Sequence, residues 1–122
     1  MSTIKVDNLE TVAGVPLHPA KAWVNYNQTT PVINGSSNIS SMTDDSTGVY
    51  TANFATSMSG ANYSSNLLSD APVSTWHVQG HISSGSSTPG TYTTSAAQFA
   101  HFNQANSGQR ADPQKACLQF VE

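Results

Sequence analysis

Charge is what this sequence has least of. Asp, Glu, Lys and Arg make up 9% of its 122 residues, against roughly 25% in an ordinary soluble domain. Only Lys5, Lys21, Arg110 and Lys115 are positive, and the net charge is −3. A nucleic-acid surface needs several Lys or Arg to neutralise phosphates, so nucleic acid is excluded as a partner. An anionic lipid surface is excluded on the same ground. No apolar run approaches the roughly 18 residues of a membrane-spanning helix, so no membrane insertion is expected. Met1-Ser2-Thr3-Ile4-Lys5-Val6-Asp7 has no apolar core of a secretory signal. Synthesis and assembly in a cytoplasm are therefore expected. Cysteine is nearly absent too. Cys117 stands alone, which rules out an internal disulfide. We read it as a small apolar residue near a core or interface, not as a catalytic thiol.

Ser, Thr, Asn and Gln fill the place of the missing charges. Such a surface is polar without being ionic. These residues compete for backbone hydrogen bonds, so they suit the exposed faces of strands and turns better than helix interiors.

Residues 1–19 read as an extended arm and residues 20–122 as a body. Ile4, Val6, Leu9 and Val12 are apolar points of the arm, with one short strand expected at residues 3–8. Val15-Pro16-Leu17-His18-Pro19 forbids a long helix at its end. In the body, apolar residues recur with period two, the mark of half-buried strands. Ala22, Val24 and Tyr26 share a face, and Tyr50, Ala52 and Phe54 share another. Trp76, Val78 and Ile82 alternate with His77, Gln79 and His81, and Ala116, Leu118 and Phe120 alternate near the end. Weaker strands are expected at residues 38–43, 63–68 and 91–102, although the alanines near Phe99 leave a helical turn open over residues 95–102. Asn34-Gly35 reads as a hairpin dipeptide, Asp44-Asp45-Ser46-Thr47-Gly48 as a tight turn, and residues 83–90 and 103–114 as loops. The fold expected is all-β: an antiparallel β-sandwich or barrel-like domain with an extended N-terminal arm.

Candidate chemistry is thin. His77 and His81 have the spacing of zinc ligands on a helix. On a strand they stand about 13 Å apart, at roughly 3.3 Å per residue, too far to share a metal within one chain. Asp44 and Asp45 supply too few oxygens for calcium. No pair of placed acids suggests glycoside cleavage, and no G-x-S-x-G elbow is present. We therefore expect no enzyme activity, no cofactor and no metal. Trp23, Tyr26, Tyr50, Phe54, Tyr63 and Trp76 are expected mainly in the core. Recognition, if the chain performs any, is expected from loop residues: Tyr92, His101, Phe102, Gln104, Asn106 and Arg110. His77, Gln79 and His81 make a polar strand face suited to an oligomer contact.

Two stretches carry a resemblance. One is Ala20-Lys21-Ala22-Trp23-Val24-Asn25-Tyr26-Asn27, then Asn38-Ile39-Ser40-Ser41-Met42-Thr43-Asp44, then Thr47-Gly48-Val49-Tyr50-Thr51-Ala52-Asn53-Phe54. The other is the arm, Ile4-Lys5-Val6-Asp7-Asn8-Leu9-Glu10. Together they resemble a recurrent module of tail-fibre and related virion proteins from marine phages and cyanophages. The match runs over residues 21–63 plus the arm, and fades after Tyr63. The resemblance implies a structural phage virion protein: a tail fibre, knob or surface decoration. It implies that the arm docks on other virion proteins through Ile4, Val6, Leu9 and Val12, that the body projects outward, and that the chain assembles as a homotrimer. The alternative expectation is a receptor-binding module for a host cell-surface glycan.

Overall fold

Residues 19–70, 77–80, 92–103 and 109–122, together with Ala13, are described by the computed structural model. They contain nine strands and no helix. In chain order these are β1 (Ala22–Asn27), β2 (Val32–Ser37), β3 (Ile39–Ser46), β4 (Val49–Phe54), β5 (Ser64–Asp70), β6 (His77–Gly80), β7 (Ala96–Asn103), β8 (Gln109–Arg110) and β9 (Lys115–Val121). The first sheet has the order β2-β1-β9-β5, the second β3-β4-β7-β6, with β8 added beside β7. Every pairing is antiparallel. The two sheets pack face to face as a β-sandwich, which decides between the two architectures expected.

Alternation explains the inner faces. Ala22, Val24 and Tyr26 of β1, and Ala116, Leu118 and Phe120 of β9, are buried from the first sheet. Tyr50, Ala52 and Phe54 of β4, and Ala97 and Phe99 of β7, meet them from the second. Aromatic rings dominate the contact. Tyr26 crosses to Tyr50 at 5.7 Å between ring centroids, and Phe54 meets Phe120 edge-on at 4.9 Å. With few large aliphatics available, edge-to-face and offset ring pairs supply most of the interior.

Three expectations about local structure need correction. Asn34-Gly35 does not turn the chain; it lies inside β2, and the β1–β2 connection is residues 28–31. The register slips there between Asn25 and Tyr26, and Trp23 leans across Gly35. A Cβ on that glycine would stand 3.3 Å from the Trp23 ring. Asp44 and Asp45 belong to β3, leaving a turn of Thr47 and Gly48 only. The strand expected within residues 91–102 is present as β7 from Ala96 onward, and the helical turn left open there does not form, because pairing with β4 satisfies the backbone. The expected loop at residues 103–114 contains β8. The arm's apolar points Ile4, Val6, Leu9 and Val12, together with Trp76 and residues 83–90, lie outside the described residues.

The sandwich has two distinct ends. At one, the β1–β2 connection, Gly48 and residues 111–114 converge. At the other, Asn38 carries the chain from the first sheet to the second, and Glu122 meets Ser59 and Gly60.

Candidate functional site

The described members of the expected recognition loops are largely built into the body. His101 is fully buried on β7, continuing the inward alternation of Ala97 and Phe99. Tyr92 is half-buried: it packs beside Tyr63 with centroids 5.0 Å apart and shares a hydrogen bond with Ser65. Arg110 is half-buried on β8. These three do not form an exposed loop surface, because His101 pairs within β7, Arg110 pairs on β8 and Tyr92 bridges Ala97. Phe102 is placed by its backbone on β7, and Gln104 and Asn106 lie outside the described residues. Of the expected oligomer face, His77 and Gln79 are placed by register opposite Asn103 and His101. His81 lies outside the described residues.

The Gly48 end gathers a cluster of polar groups. Gln28 is 1% exposed. It occupies the next inward position after Ala22, Val24 and Tyr26, so the period-two signal extended through a polar residue. Its side-chain amide reaches across to the second sheet and donates to Asp44 Oδ1 at 2.9 Å, Ser46 O at 3.0 Å and Val49 O at 3.1 Å. Asp112 Oδ1 accepts from the Gly48 amide at 2.6 Å. His101 Nδ1 pairs with Ala111 O at 2.9 Å; a carbonyl only accepts, so Nδ1 carries the hydrogen. The Gln28 backbone N–H donates to Pro113 O at 3.0 Å. Burial, and then the carboxylates of Asp44, Asp112 and Asp45, raise the Tyr26 phenol pKa. The side chains of Gln28, Asp112 and His101 each fasten one segment of backbone to another. Among the described residues no group of three or more His, Cys, Asp or Glu is placed to hold a metal ion.

Tyr63 has a similar role at the Glu122 end. Its hydroxyl donates towards Thr93 O at 3.0 Å and Ala96 O at 3.1 Å. Burial, reinforced by Tyr92, pushes its pKa up to about 12. The Tyr50 hydroxyl is fully buried and its pKa is raised by burial first and Tyr26 second.

The outer faces of the two sheets differ. On the second sheet the polar side chains bond one another. Asp45 accepts from Gln98 at 3.2 Å, while Asn53 donates to Ser41 Oγ at 3.1 Å and Thr43 Oγ1 at 2.9 Å. On the first sheet, Ser37, Trp23, Gln119 and Asn66 form one straight row across β2, β1, β9 and β5. Gly35, Asn25, Cys117 and Leu68 form the next. Trp23 is 43% exposed and Leu68 74%. Cys117 is half-buried on this outer face, with its thiol free. Sequence reasoning assigned Trp23 mainly to the core, yet its odd position between inward Ala22 and Val24 already carried the opposite signal.

The fold defines an all-β sandwich protein, and among its described residues no helix is long and apolar enough to cross a membrane. No family model matches the chain, and neither a curated protein nor a solved structure does.

Proposed function

We propose that this chain is a structural phage virion protein, of the tail-fibre, knob or surface-decoration kind. In this reading residues 1–19 dock on other virion proteins, the sandwich projects outward, and the chain acts as a homotrimer assembled in the host cytoplasm without catalysing a reaction. The observation that carries the reading is where the residues of the resemblance fall. Residues 21–63 build β1 to β4, two strands in each sheet. Tyr50, Ala52 and Phe54 lie in the interior, and Gly48 turns β3 into β4 with its amide held by Asp112. The inward residues shared with the module are thus fold-making residues, as suits a part reused for its shape. The uses made of Asp44, Asp45, Asp112 and His101 agree: each braces the sandwich through hydrogen bonds.

Deleting residues 1–17 tests it. The truncated body should keep the wild-type melting profile but be missing from purified particles, as read by quantitative immunoblot. Truncated protein loading at the normal level would end the docking role of the arm. A chain absent from wild-type particles would end the virion reading altogether.

One observation favours the second reading, a receptor-binding module for a host glycan. It is the exposed Trp23 set among uncharged amides on the outer face of the first sheet.

A further inference from the structure

We infer that the outer face of the first sheet is a binding site for an uncharged saccharide, with Trp23 as its stacking platform. The inference rests on the receptor-binding reading and gives it a location, a ligand class and named residues.

The site starts from alternation. Trp23 projects away from the core because Ala22 and Val24 project into it. Its ring then lies against β2 over Gly35, where a Cβ would approach Cη2 to 3.3 Å. A side chain at position 35 would make the indole give way by at least a few tenths of an ångström, so the missing one lets the ring lie close along the surface. Nearly half of the residue stays exposed. A bulky aromatic left this open, in a chain otherwise economical with large apolar groups, is a surface feature that calls for a partner.

The row around it says which partner. From β2 to β5 it reads Ser37, Trp23, Gln119, Asn66, spanning about 14 Å at the usual strand separation. Ser37, Gln119 and Asn66 are all exposed. Asn25, one row further, accepts from Asn34 at 3.4 Å and keeps donors of its own. An amide offers both donors and acceptors in one plane, which matches a sugar hydroxyl that does both. The electron-rich face of an indole attracts weakly positive C–H groups, which one face of a pyranose ring presents. Carbohydrates need that pairing of a flat aromatic with neutral two-way hydrogen-bonding groups.

Charge narrows the class. Neither of the two rows contains a carboxylate, ammonium or guanidinium. Lys115 and Asp70 stand opposite each other in the register of β9 and β5, beyond the second row. At the other margin Lys21, two residues before Trp23 and of the same outward parity, lies near the Glu122 carboxylate. An acidic sugar would therefore find only one, already matched, cation there, and a phosphate backbone would find none of the array it requires. A second copy of this chain is the other natural occupant. Yet protein interfaces concentrate apolar groups at their centre. Here Trp23 and Leu68 stand on β1 and β5, separated by β9 and by one row, with Gln119, Asn25 and Asn66 around them.

The test uses the full chain in affinity gels cast with dextran, a mixed-linkage β-glucan or galactomannan, with polygalacturonate as the acidic control. At least one neutral polymer should retard the protein and polygalacturonate should not. Trp23→Ala should weaken that retardation roughly tenfold, as loss of an aromatic anchor does. Gln119→Ala, an exposed change that leaves folding intact, should weaken it several-fold. Thr43→Ala, on the outer face of the second sheet, should leave it unchanged. Retardation undiminished in folded Trp23→Ala and Gln119→Ala proteins overturns this site while the receptor-binding reading survives elsewhere on the chain. No retardation by any neutral polymer overturns both, without touching the incorporation test of the virion reading. A change of molecular mass in light scattering on Trp23→Ala would give the face to a second copy and also overturn the inference.

Discussion

The two ends of the sandwich are closed in different ways. At the Gly48 end the closing groups are buried. Gln28 and His101 sit within the interior boundary, and their polar atoms bond backbone carbonyls of the opposite sheet or of the crossing segment. At the Glu122 end, apart from the buried Tyr63 hydroxyl, the closing groups are on the surface. Asn38 exchanges two bonds with Thr56, at 3.0 and 2.7 Å, and the Glu122 carboxylate accepts from Ser59 and from the Gly60 amide. The interior follows the same division. Tyr26 and Tyr50 lie beneath the buried amide, while Phe54, Tyr63 and Phe120 form a ring cluster beneath the exposed caps. A buried hydrogen-bonding group that loses its partner keeps the full desolvation penalty, while an exposed one returns to water. Damage at the Gly48 end should therefore be severe, and damage at the Glu122 end graded.

Gly48 should give the largest effect. Its φ of +66° is a left-handed conformation that costs other residues about 1–3 kcal/mol. A Cβ there would also stand 2.6 Å from His101 O and 2.7 Å from Ala111 N, both backbone atoms that cannot swing aside. Gly48→Ala should cost more than about 4 kcal/mol, in the exceptional range for a single change. Since domains hold only about 5–15 kcal/mol in all, urea unfolding should find the variant largely or wholly unfolded. A midpoint near wild type would mean that β7 and residue 111 do not close on Gly48.

Gln28→Leu comes next. The shape is nearly preserved, but the carbonyls of Ser46 and Val49 and the Asp44 carboxylate lose their donor. About 2–4 kcal/mol should be lost. Gln28→Glu sharpens the point through pH. A buried carboxylate facing Asp44 and two carbonyls is disfavoured, so this variant should be weakest at neutral pH and recover as acid protonates it. A Gln28→Glu protein equally stable at pH 7 and pH 4.5 would show that position 28 is wetter than its 1% exposure implies.

At the other end, Asn38→Ala should cost about 1–2 kcal/mol, the worth of a local cap. Asn38 holds a φ of +55°, which glycine accepts freely and alanine does not. Asn38→Gly should therefore be the milder of the two changes by denaturant midpoint, although both remove the same side-chain bonds. If alanine proves no worse than glycine, the left-handed backbone is not what Asn38 supplies.

How much of this was legible in the sequence follows the same physics. Period-two alternation located β1, β4 and β9 and their inward residues, because burial on one side of a strand writes itself directly into apolar spacing. The turns were harder. Asn34-Gly35 has hairpin chemistry, but here the glycine serves the Trp23 ring above it and the asparagine lies where the register slips. β2 and β8 were missed because neither has an alternating apolar face; β2 is mostly exposed and β8 is two residues long. The buried braces were missed for another reason. Gln28 and His101 occupy inward positions, but a reading that counts only apolar residues stops one step before them. Trp23, the centre of the saccharide site, was visible by parity and obscured by residue type, since tryptophan is more often a core residue than a surface one.

The smallest effect belongs to Glu122, and its sign can be fixed. The Ser59 hydroxyl first, helped by the Ser59 and Gly60 amides and the nearby Lys21, holds its carboxyl below the ordinary value of 4.5, against an opposing contribution from desolvation second in size only to that hydroxyl. A carboxylate with a depressed folded pKa stabilises the folded chain above its unfolded pKa, and that contribution fades as pH falls through the folded one. Wild type should therefore melt slightly above Glu122→Gln at pH 7, and the two curves should converge as pH drops from about 5 to 3. The carboxylate is exposed, so salt should shrink the gap at pH 7 as well. Gln28→Glu moves the opposite way over the same range, since acid relieves that variant and weakens the Glu122 cap of the wild type. Differential scanning calorimetry on the three proteins at pH 7, 5 and 3 reads both trends in one series. A wild-type advantage over Glu122→Gln that persists unchanged at pH 3 would show that the cap acts through its shape and not its charge. The contrast between a buried closure and an exposed one would then have to be drawn from Gln28 and Asn38 alone.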